Sequence, residues 1–477
     1  MRPHPLDFLA RMLPENGARP ALIDGERTWS YAALAHWVAC VAQRLSDRGV
    51  GAGERLAIDL PNGAEFVVAY LAAWHAGITV IPINGAMPAE DRAYLLDLTR
   101  PTLRLDSTQE GLLEDSERGV AAPFTPYDER IPGAIFFTSG TTSRPKGVCH
   151  DAQRMLANVD AFNTLTGISA ETRMLHLMPM GYMAGFLNTI LSPLAAGGTV
   201  VLSPPFSSAA AMGLWPLAMK HRVNTLWLSP TMAAFLVQLN RGGVVYDWCR
   251  HHLTHVFIGT ASLSAKLEAQ FSAAFGVACL ESYGMTELLL VSSRTPGAAD
   301  QAGSVGRVLP GIECVMEENG QLAGVLRIRS PYAMLGYLDS DPAETGVLLP
   351  ADAQGLETGD IGRLEGDRLF ITGRKKDLIL HGGVNVSPRA VEEVLLRHAE
   401  VANAAVVGMP HDFWGEEVVA CVIAHDPNRT GKLRAELVEL CRAHLSPDAV
   451  PGRFRFVESF PLSSTGKVRK DLLRQSD

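Results

Sequence analysis

Apolar positions near the start of the chain change period in a regular way. Tyr31 to Asp47 (YAALAHWVACVAQRLSD) carries apolar residues at helical spacing, and Gly49, Gly51 and Gly53 then end that helix. Arg55 to Leu60 reads as a strand, and the unit repeats as a helix from Ala64 to His75 and a strand from Thr79 to Ile83. Further short apolar runs predict strands at Gly133 to Phe137, Thr199 to Leu202, Thr225 to Leu228 and Val256 to Ile258. Helices alternating with short β-branched runs predict an α/β fold with largely parallel sheets flanked by helices.

The texture changes after about residue 310. Short strand candidates, Val325 to Arg329 and Arg368 to Ile371, alternate with Gly, Asp and Pro, which predicts a β-rich subdomain closing a large N-terminal domain. A polar punctuation, Gly373-Arg-Lys-Lys-Asp377, follows. The remainder reads as a small α+β unit: a helix from Pro388 to Arg397, strands at Asn403 to Val407 and Val418 to Ala424, a helix from Leu433 to His444, and a strand from Arg453 to Val457. The pattern divides the chain into a large domain, 1–375, and a small mobile domain, 376–477, with a hinge near Lys376.

Composition narrows the classes. The 477 residues are 47% hydrophobic and 19% charged, ordinary for a globular chain of two or more domains. A net charge of −9 disfavours sequence-independent nucleic-acid binding, but a polyanion such as ATP can still bind where a few cations converge. The odd count of seven cysteines, with no metal-ligand spacing, predicts buried free thiols in a reducing compartment. The N-terminus lacks the apolar core of a signal peptide. The longest apolar stretch, Phe66 to Ile83, is broken by His75, Gly77 and Pro82, so it predicts a buried helix and strand and no membrane span. A cytoplasmic location is expected.

The sharpest local signal is Phe136-Phe-Thr-Ser-Gly-Thr-Thr-Ser-Arg-Pro-Lys-Gly-Val148. An apolar strand runs into Thr138, Ser139, Gly140, Thr141 and Thr142, small residues whose hydroxyls and backbone N–H groups can approach phosphate oxygens closely, and Lys146 adds a cation. It is not a Walker A loop, because Gly147 follows the lysine where Ser or Thr is required. The string resembles the phosphate-binding motif of the adenylate-forming superfamily of acyl-CoA synthetases, adenylation domains and luciferases. Four more motifs of that superfamily follow in order as far as Lys470, closest in pattern to acyl-CoA ligases.

The resemblance implies a role for each matching residue. In Glu281-Ser-Tyr-Gly-Met-Thr-Glu287, Tyr283 stacks on adenine, Gly284 follows it, Thr286 contacts the α-phosphate and Glu287 holds Mg2+. Gly259-Thr-Ala-Ser-Leu263 resembles a Gly-Gly-Ala-Pro-Leu loop along the other adenine face, contributing Gly259 and Ala261, with Thr260 and Ser262 departing from the pattern. In Glu357-Thr-Gly-Asp360, Asp360 accepts the ribose hydroxyls. Arg374 contacts the ribose and phosphates, and Gly382 and Gly383 lie where the backbone passes a pantetheine arm. Trp414 matches a position that lines the pantetheine tunnel. Lys467, in Pro461-Leu-Ser-Ser-Thr-Gly-Lys467, bridges the acid and the α-phosphate. Taken singly, most of these strings are commonplace turns or charged surface patches. Lysine usage adds weight: of only eight lysines, Lys146, Lys375, Lys376 and Lys467 all fall inside the motifs.

The implied reaction attaches a small-molecule carboxylic acid to AMP, with Thr286, Glu287, Arg374 and Lys467 as the catalytic set, then passes the acyl group to CoA or another phosphopantetheine thiol. His176-Leu-Met-Pro-Met-Gly-Tyr-Met-Ala-Gly-Phe186 aligns with the superfamily's acid-pocket segment and places Tyr182, Met183, Gly185, Phe186 and Gly259 there. Gly181 and Tyr182 replace that segment's Phe and His, so the role of the histidine does not carry over. Met183 stands where amino-acid adenylating domains place an Asp, and a buried ammonium without a carboxylate partner is costly. A hydrophobic aliphatic or aryl acid is therefore expected. Rival readings are a ligase serving an acyl carrier protein in trans, a luciferase-like oxygenase, and a binding module without activity. The sequence leaves the oligomeric state open.

Overall fold

The computed structural model describes residues 4–109, 111–115, 120, 122–138, 145–240, 242–297, 303–317, 324–338, 348–350, 355–461 and 468–475. These residues form three sheets. The first is half parallel. Leu280–Met285, His255–Ile258, Thr225–Leu228, Arg173–Leu175, Thr199–Leu202 and Pro20–Asp24 lie side by side with parallel neighbours. Beyond Leu280–Met285 the same sheet turns antiparallel through Leu289–Ser293, Arg307–Val308, Arg368–Arg374, Leu356–Glu365, Gly324–Arg329 and Glu313–Glu317. The β-rich segment expected after residue 310 thus continues the large domain's sheet.

The second sheet runs Leu348–Pro350, Gly336–Leu338, Lys146–His150, Ala134–Thr138, Thr79–Pro82, Arg55–Ile58 and Leu103–Leu105. One core joins the two sheets, with Leu22 and Val200 from the first and Leu56, Val80 and Phe136 from the second. The helix Ala64–His75 is buried all round except at Glu65, as a helix inside a large core must be. Asp24 caps it from a distance, its Oδ2 accepting from the Ala64 N–H at 3.0 Å. The long apolar run from Phe66 is this helix together with the buried strand Thr79–Pro82. Among the described residues, no helix is long and apolar enough to cross a membrane. All seven cysteines are free, and only Cys314 is not fully buried.

The third sheet belongs to the small C-terminal domain: Val384–Val386, Ile379–His381, Gly415–Ala424 and Val401–His411, with Arg453–Phe456 parallel to Gly415–Ala424. Pro388–Leu395 and Thr430–His444 cover it through Val391, Val394, Leu433 and Leu437. The central ribbon, Val401–His411 with Gly415–Ala424, is longer than the sequence pattern predicts. Its far end, around Pro410 and Glu416, is partly exposed and polar, so it lacks the apolar run that marks a buried strand.

Candidate active site

The hairpin Ala134–Thr138 and Lys146–His150 keeps strict antiparallel register up to the pair Thr138–Lys146. Ser139, Gly140, Thr141 and Thr142 lie outside the described residues. Lys146 is exposed, and its Nζ stands 5.2 Å from the ring centroid of Tyr337, within cation–π range. Tyr337 is paired in register with Val148. Its hydroxyl donates to Glu287 Oε1 at 3.1 Å. His150, at the other end of the same strand, donates from Nε2 to the Thr286 carbonyl at 2.6 Å. Burial pushes its pKa down to about 4, so the ring is neutral, and its Nδ1 has no partner among the described residues. The hairpin, Tyr337 and Thr286–Glu287 are therefore one braced unit.

Tyr283 sits one turn of the chain away, at the exposed end of Leu280–Met285. Its hydroxyl donates to Asp360 Oδ2 at 2.6 Å, while Arg374 Nε donates to Oδ1 at 2.7 Å. Strand register sets the second bond, since Asp360 pairs with Arg374 across Leu356–Glu365 and Arg368–Arg374. Asp360 is 2% exposed, so Arg374 balances a charge that would otherwise be costly to bury. Burial and the adjacent carboxylate push the Tyr283 hydroxyl pKa up, keeping it a donor. Each carboxylate oxygen still has acceptor capacity for a ligand hydroxyl. Gly284 is required by the turn, because a Cβ there would lie 2.3 Å from the Leu289 carbonyl oxygen.

Gly259 ends the strand His255–Ile258, and its N–H donates to the Leu228 carbonyl at 3.1 Å. A Cβ on Gly259 would stand 3.2 Å from Ser282 Oγ and 3.3 Å from Trp227 Nε1. Ala261 is exposed. The loop is pinned where the Leu263 N–H donates to Glu281 Oε1 at 3.0 Å. Glu281 is buried beside Arg294, which also bonds Glu268 at 2.6 Å, and burial pushes its carboxyl up to about 7. The loop therefore hangs at the carboxyl ends of the parallel strands, where open α/β sheets bind their ligands.

In the segment aligned with the acid pocket, Tyr182 and Met183 are half-buried, and the Tyr182 hydroxyl accepts from Asn84 Nδ2 at 2.7 Å. Gly181 packs on the chain at Ile83–Asn84, where a Cβ would meet Asn84 N at 2.5 Å, so this backbone admits no larger residue. Gly185 presses on the Pro179 carbonyl in the same way. Phe186 is fully buried, stacked 3.6 Å from Tyr70, and backs the segment from the core. His176 braces it as well. Its Nε2 accepts from Asn62 Nδ2 at 3.0 Å, and its Nδ1 pairs with Thr189 Oγ1 at 2.6 Å. Burial pushes this imidazole down to about 3, keeping it neutral.

In the small domain, Gly382 and Gly383 adopt φ of +57° and +86°, a left-handed turn suited to glycine. The Gly382 N–H donates to the Trp414 carbonyl at 2.9 Å. The Trp414 ring, 44% exposed, stacks on His381 at 4.9 Å and meets Phe413, 78% exposed, edge-on at 4.6 Å. Lys467 lies outside the described residues. The Arg469 N–H donates to the Pro461 carbonyl at 2.7 Å, holding together the chain on either side of it.

The model of AMP-binding enzymes matches residues 9–338, and that of the AMP-binding enzyme C-terminal domain matches residues 390–467. The chain belongs to the AMP-binding enzyme family. Sulfoacetate–CoA ligase of Cupriavidus necator is 28% identical, covering 98% of this chain and 97% of that protein. ATP-bound MatB from Rhodopseudomonas palustris superposes with a TM-score of 0.86 at 25% identity, over 98% of both chains. The o-succinylbenzoate CoA synthetase of Bacillus subtilis, holding its acyl-adenylate intermediate, gives 0.83 at 25% identity, over 100% of this chain and 99% of that one.

Within this AMP-binding enzyme, Tyr283, Asp360 and Arg374 meet directly. Thr286, Glu287, Thr138 and Lys146 are brought together through His150 and Tyr337. Gly382, Gly383 and Trp414 form a separate group on the small domain. Sequence reasoning missed Tyr337 and His150. Their partners lie 50 and 136 residues away in the chain, so no local spacing marks them.

Proposed function

We propose that this AMP-binding enzyme is an AMP-forming acid–CoA ligase. The acid attacks the α-phosphate of ATP, pyrophosphate leaves, and the resulting acyl-adenylate is opened by the thiol of CoA with release of AMP. The observation that carries this reading is the buried Asp360 carboxylate, held by Tyr283 and Arg374 beside the Thr286–Glu287 unit. It offers acceptors for a ribose next to an aromatic face for a purine.

Both reactants of the first step are anions, so positioning and charge neutralisation are the main tasks. Arg374, Lys146 and Lys467 serve these tasks, with Thr138–Thr142 cradling the phosphates. Glu287 suits Mg2+, which takes one or two carboxylates together with phosphate oxygens, and Tyr337 engages only one of its oxygens. Bound there, Mg2+ supplies charge neutralisation for the pyrophosphate. The acid lies between the Tyr182–Met183 segment and Gly259, with Gly185 and Phe186 as backing. The small domain, from the hinge near Lys376 onward, carries Lys467 for the first step. It brings Gly382, Gly383 and Trp414 against the pantetheine arm for the second.

A panel of carboxylic acids tests this. Acid-dependent release of pyrophosphate and AMP, with thioester appearing when CoA is added, is the expected result. Thioester formed on a loaded carrier protein but never on CoA would move the acceptor. No pyrophosphate with any acid would sink the reading.

A further inference from the structure

The corner beside Gly259 collects three polar groups, on Trp227, Thr260 and Ser282, to which the motif resemblance assigns no contact with the nucleotide. Trp227, on Thr225–Leu228, is 1% exposed, and its ring is locked between Phe257 at 4.9 Å and Phe162 at 5.5 Å. The direction of its N–H is therefore fixed. Nε1 has no hydrogen-bond partner among the described residues, and leaving a buried donor unmet is unfavourable. Nε1 lies 3.3 Å from the position that a Cβ on Gly259 would take. Ser282 Oγ stands 3.2 Å from the same point, and its bond to the Ile258 carbonyl is long, at 3.4 Å. Thr260 follows with φ of +69°, a strained conformation for a β-branched residue, and its buried hydroxyl also lacks a partner among the described residues. Strain and unmet polar groups gathered in one corner are what a ligand-binding site leaves when its ligand is away.

We propose that the acid preferred by this enzyme carries a neutral hydrogen-bond acceptor, such as a keto, ether or amide oxygen, in its acyl portion. Trp227 Nε1–H donates to it, with the Ser282 and Thr260 hydroxyls alongside. The acceptor is neutral because a second anion would find no free cation here among the described residues. Arg294, the guanidinium behind this loop, is committed to Glu268, Glu281 and the Ser304 carbonyl. The imidazole of His176 is neutral and bonded at both nitrogens. A purely hydrocarbon acyl chain would leave the donor unmet. The expectation of a simple hydrophobic acid is thereby narrowed to an apolar acid with one oxygen at this depth.

The proposal rests on the acid-activating reading, and its test separates the two. Matched acids, straight-chain and aryl, differing only by an oxo group in place of a methylene, are compared by kcat/KM for pyrophosphate release. At least one oxo acid should exceed its hydrocarbon twin by about tenfold, the worth of one good hydrogen bond. In Trp227→Phe that ratio should collapse toward unity. Gly259→Ala, which puts a methyl group on the acceptor's place, should lower the oxo acid's kcat/KM more than its twin's. Melting temperatures of both variants report folding, and the wild-type ratios stand without them. Equal rates within every pair would mean that a buried water meets the indole, overturning this inference while leaving acid activation intact. A preference that survives in Trp227→Phe would overturn it as well. Absence of pyrophosphate with every acid would overturn both.

Discussion

The hydroxyl of Tyr337, on the strand paired with Lys146–His150, holds the carboxylate of Glu287, and its ring lies near the ammonium of Lys146. The bond engages one carboxylate oxygen, and on the proposed reading the other takes Mg2+. Tyr337→Phe keeps the ring and removes only the donor. A hydrogen bond to a charged group is worth about 1.5–3 kcal/mol. Pyrophosphate release by this variant should fall about tenfold in kcat/KM, and half-maximal activity should need more Mg2+. An unchanged magnesium titration would show that Tyr337 does not orient Glu287. Tyr283, Asp360 and Arg374 were singled out in the sequence because each stands in a motif of the family resemblance, and the structure brings their side chains together. Tyr337, His150 and Trp227 were not, because their roles come from partners far along the chain or from the lack of one. Phe186 shows the opposite limit: an aromatic in a pocket-like string is placed in the core by stacking on Tyr70.

At the scale of elements, the helices Tyr31–Asp47 and Ala64–His75 and the strand Thr199–Leu202 fall where the apolar period places them. Buried elements announce themselves because their pattern answers directly to the core. Pairing does not: nothing in the short strands after residue 310 tells that they extend the large domain's sheet instead of forming a separate one. The turn joining Ile379–His381 to Val384–Val386 is a third case. The two glycines were expected to pass a pantetheine arm, and the structure shows Trp414 packed over Gly382, 3.0 Å from where a Cβ would stand. Its exposed ring is free to meet a ligand on its outer face. Trp414→Ala should raise the KM for CoA about tenfold and leave acid-dependent pyrophosphate release without CoA close to wild type, if, as proposed, the turn serves only the second half-reaction. Equal loss in both half-reactions would place Trp414 among residues that merely hold the small domain together.

At the scale of the whole molecule, a chain of net charge −9 has to hold a polyanion beside an acid. On the proposed reading it does so with Arg374 and Lys146, both at strand ends, and with Lys467 from the small domain. The two domains touch in this structure. Lys266, at the start of the helix Ala265–Phe275, donates to the His398 and Val401 carbonyls of the small domain, and Ser387 Oγ bonds the Thr372 carbonyl at 3.0 Å. The reaction rests on direct attack of the acid on the α-phosphate, so the fate of one oxygen atom decides the account. The acid that turns over fastest is labelled with oxygen-18 in its carboxylate, converted to the CoA thioester, and the products are weighed by mass spectrometry. AMP carrying one labelled oxygen is the predicted result. Unlabelled AMP, or label recovered in inorganic phosphate together with ADP, would contradict it.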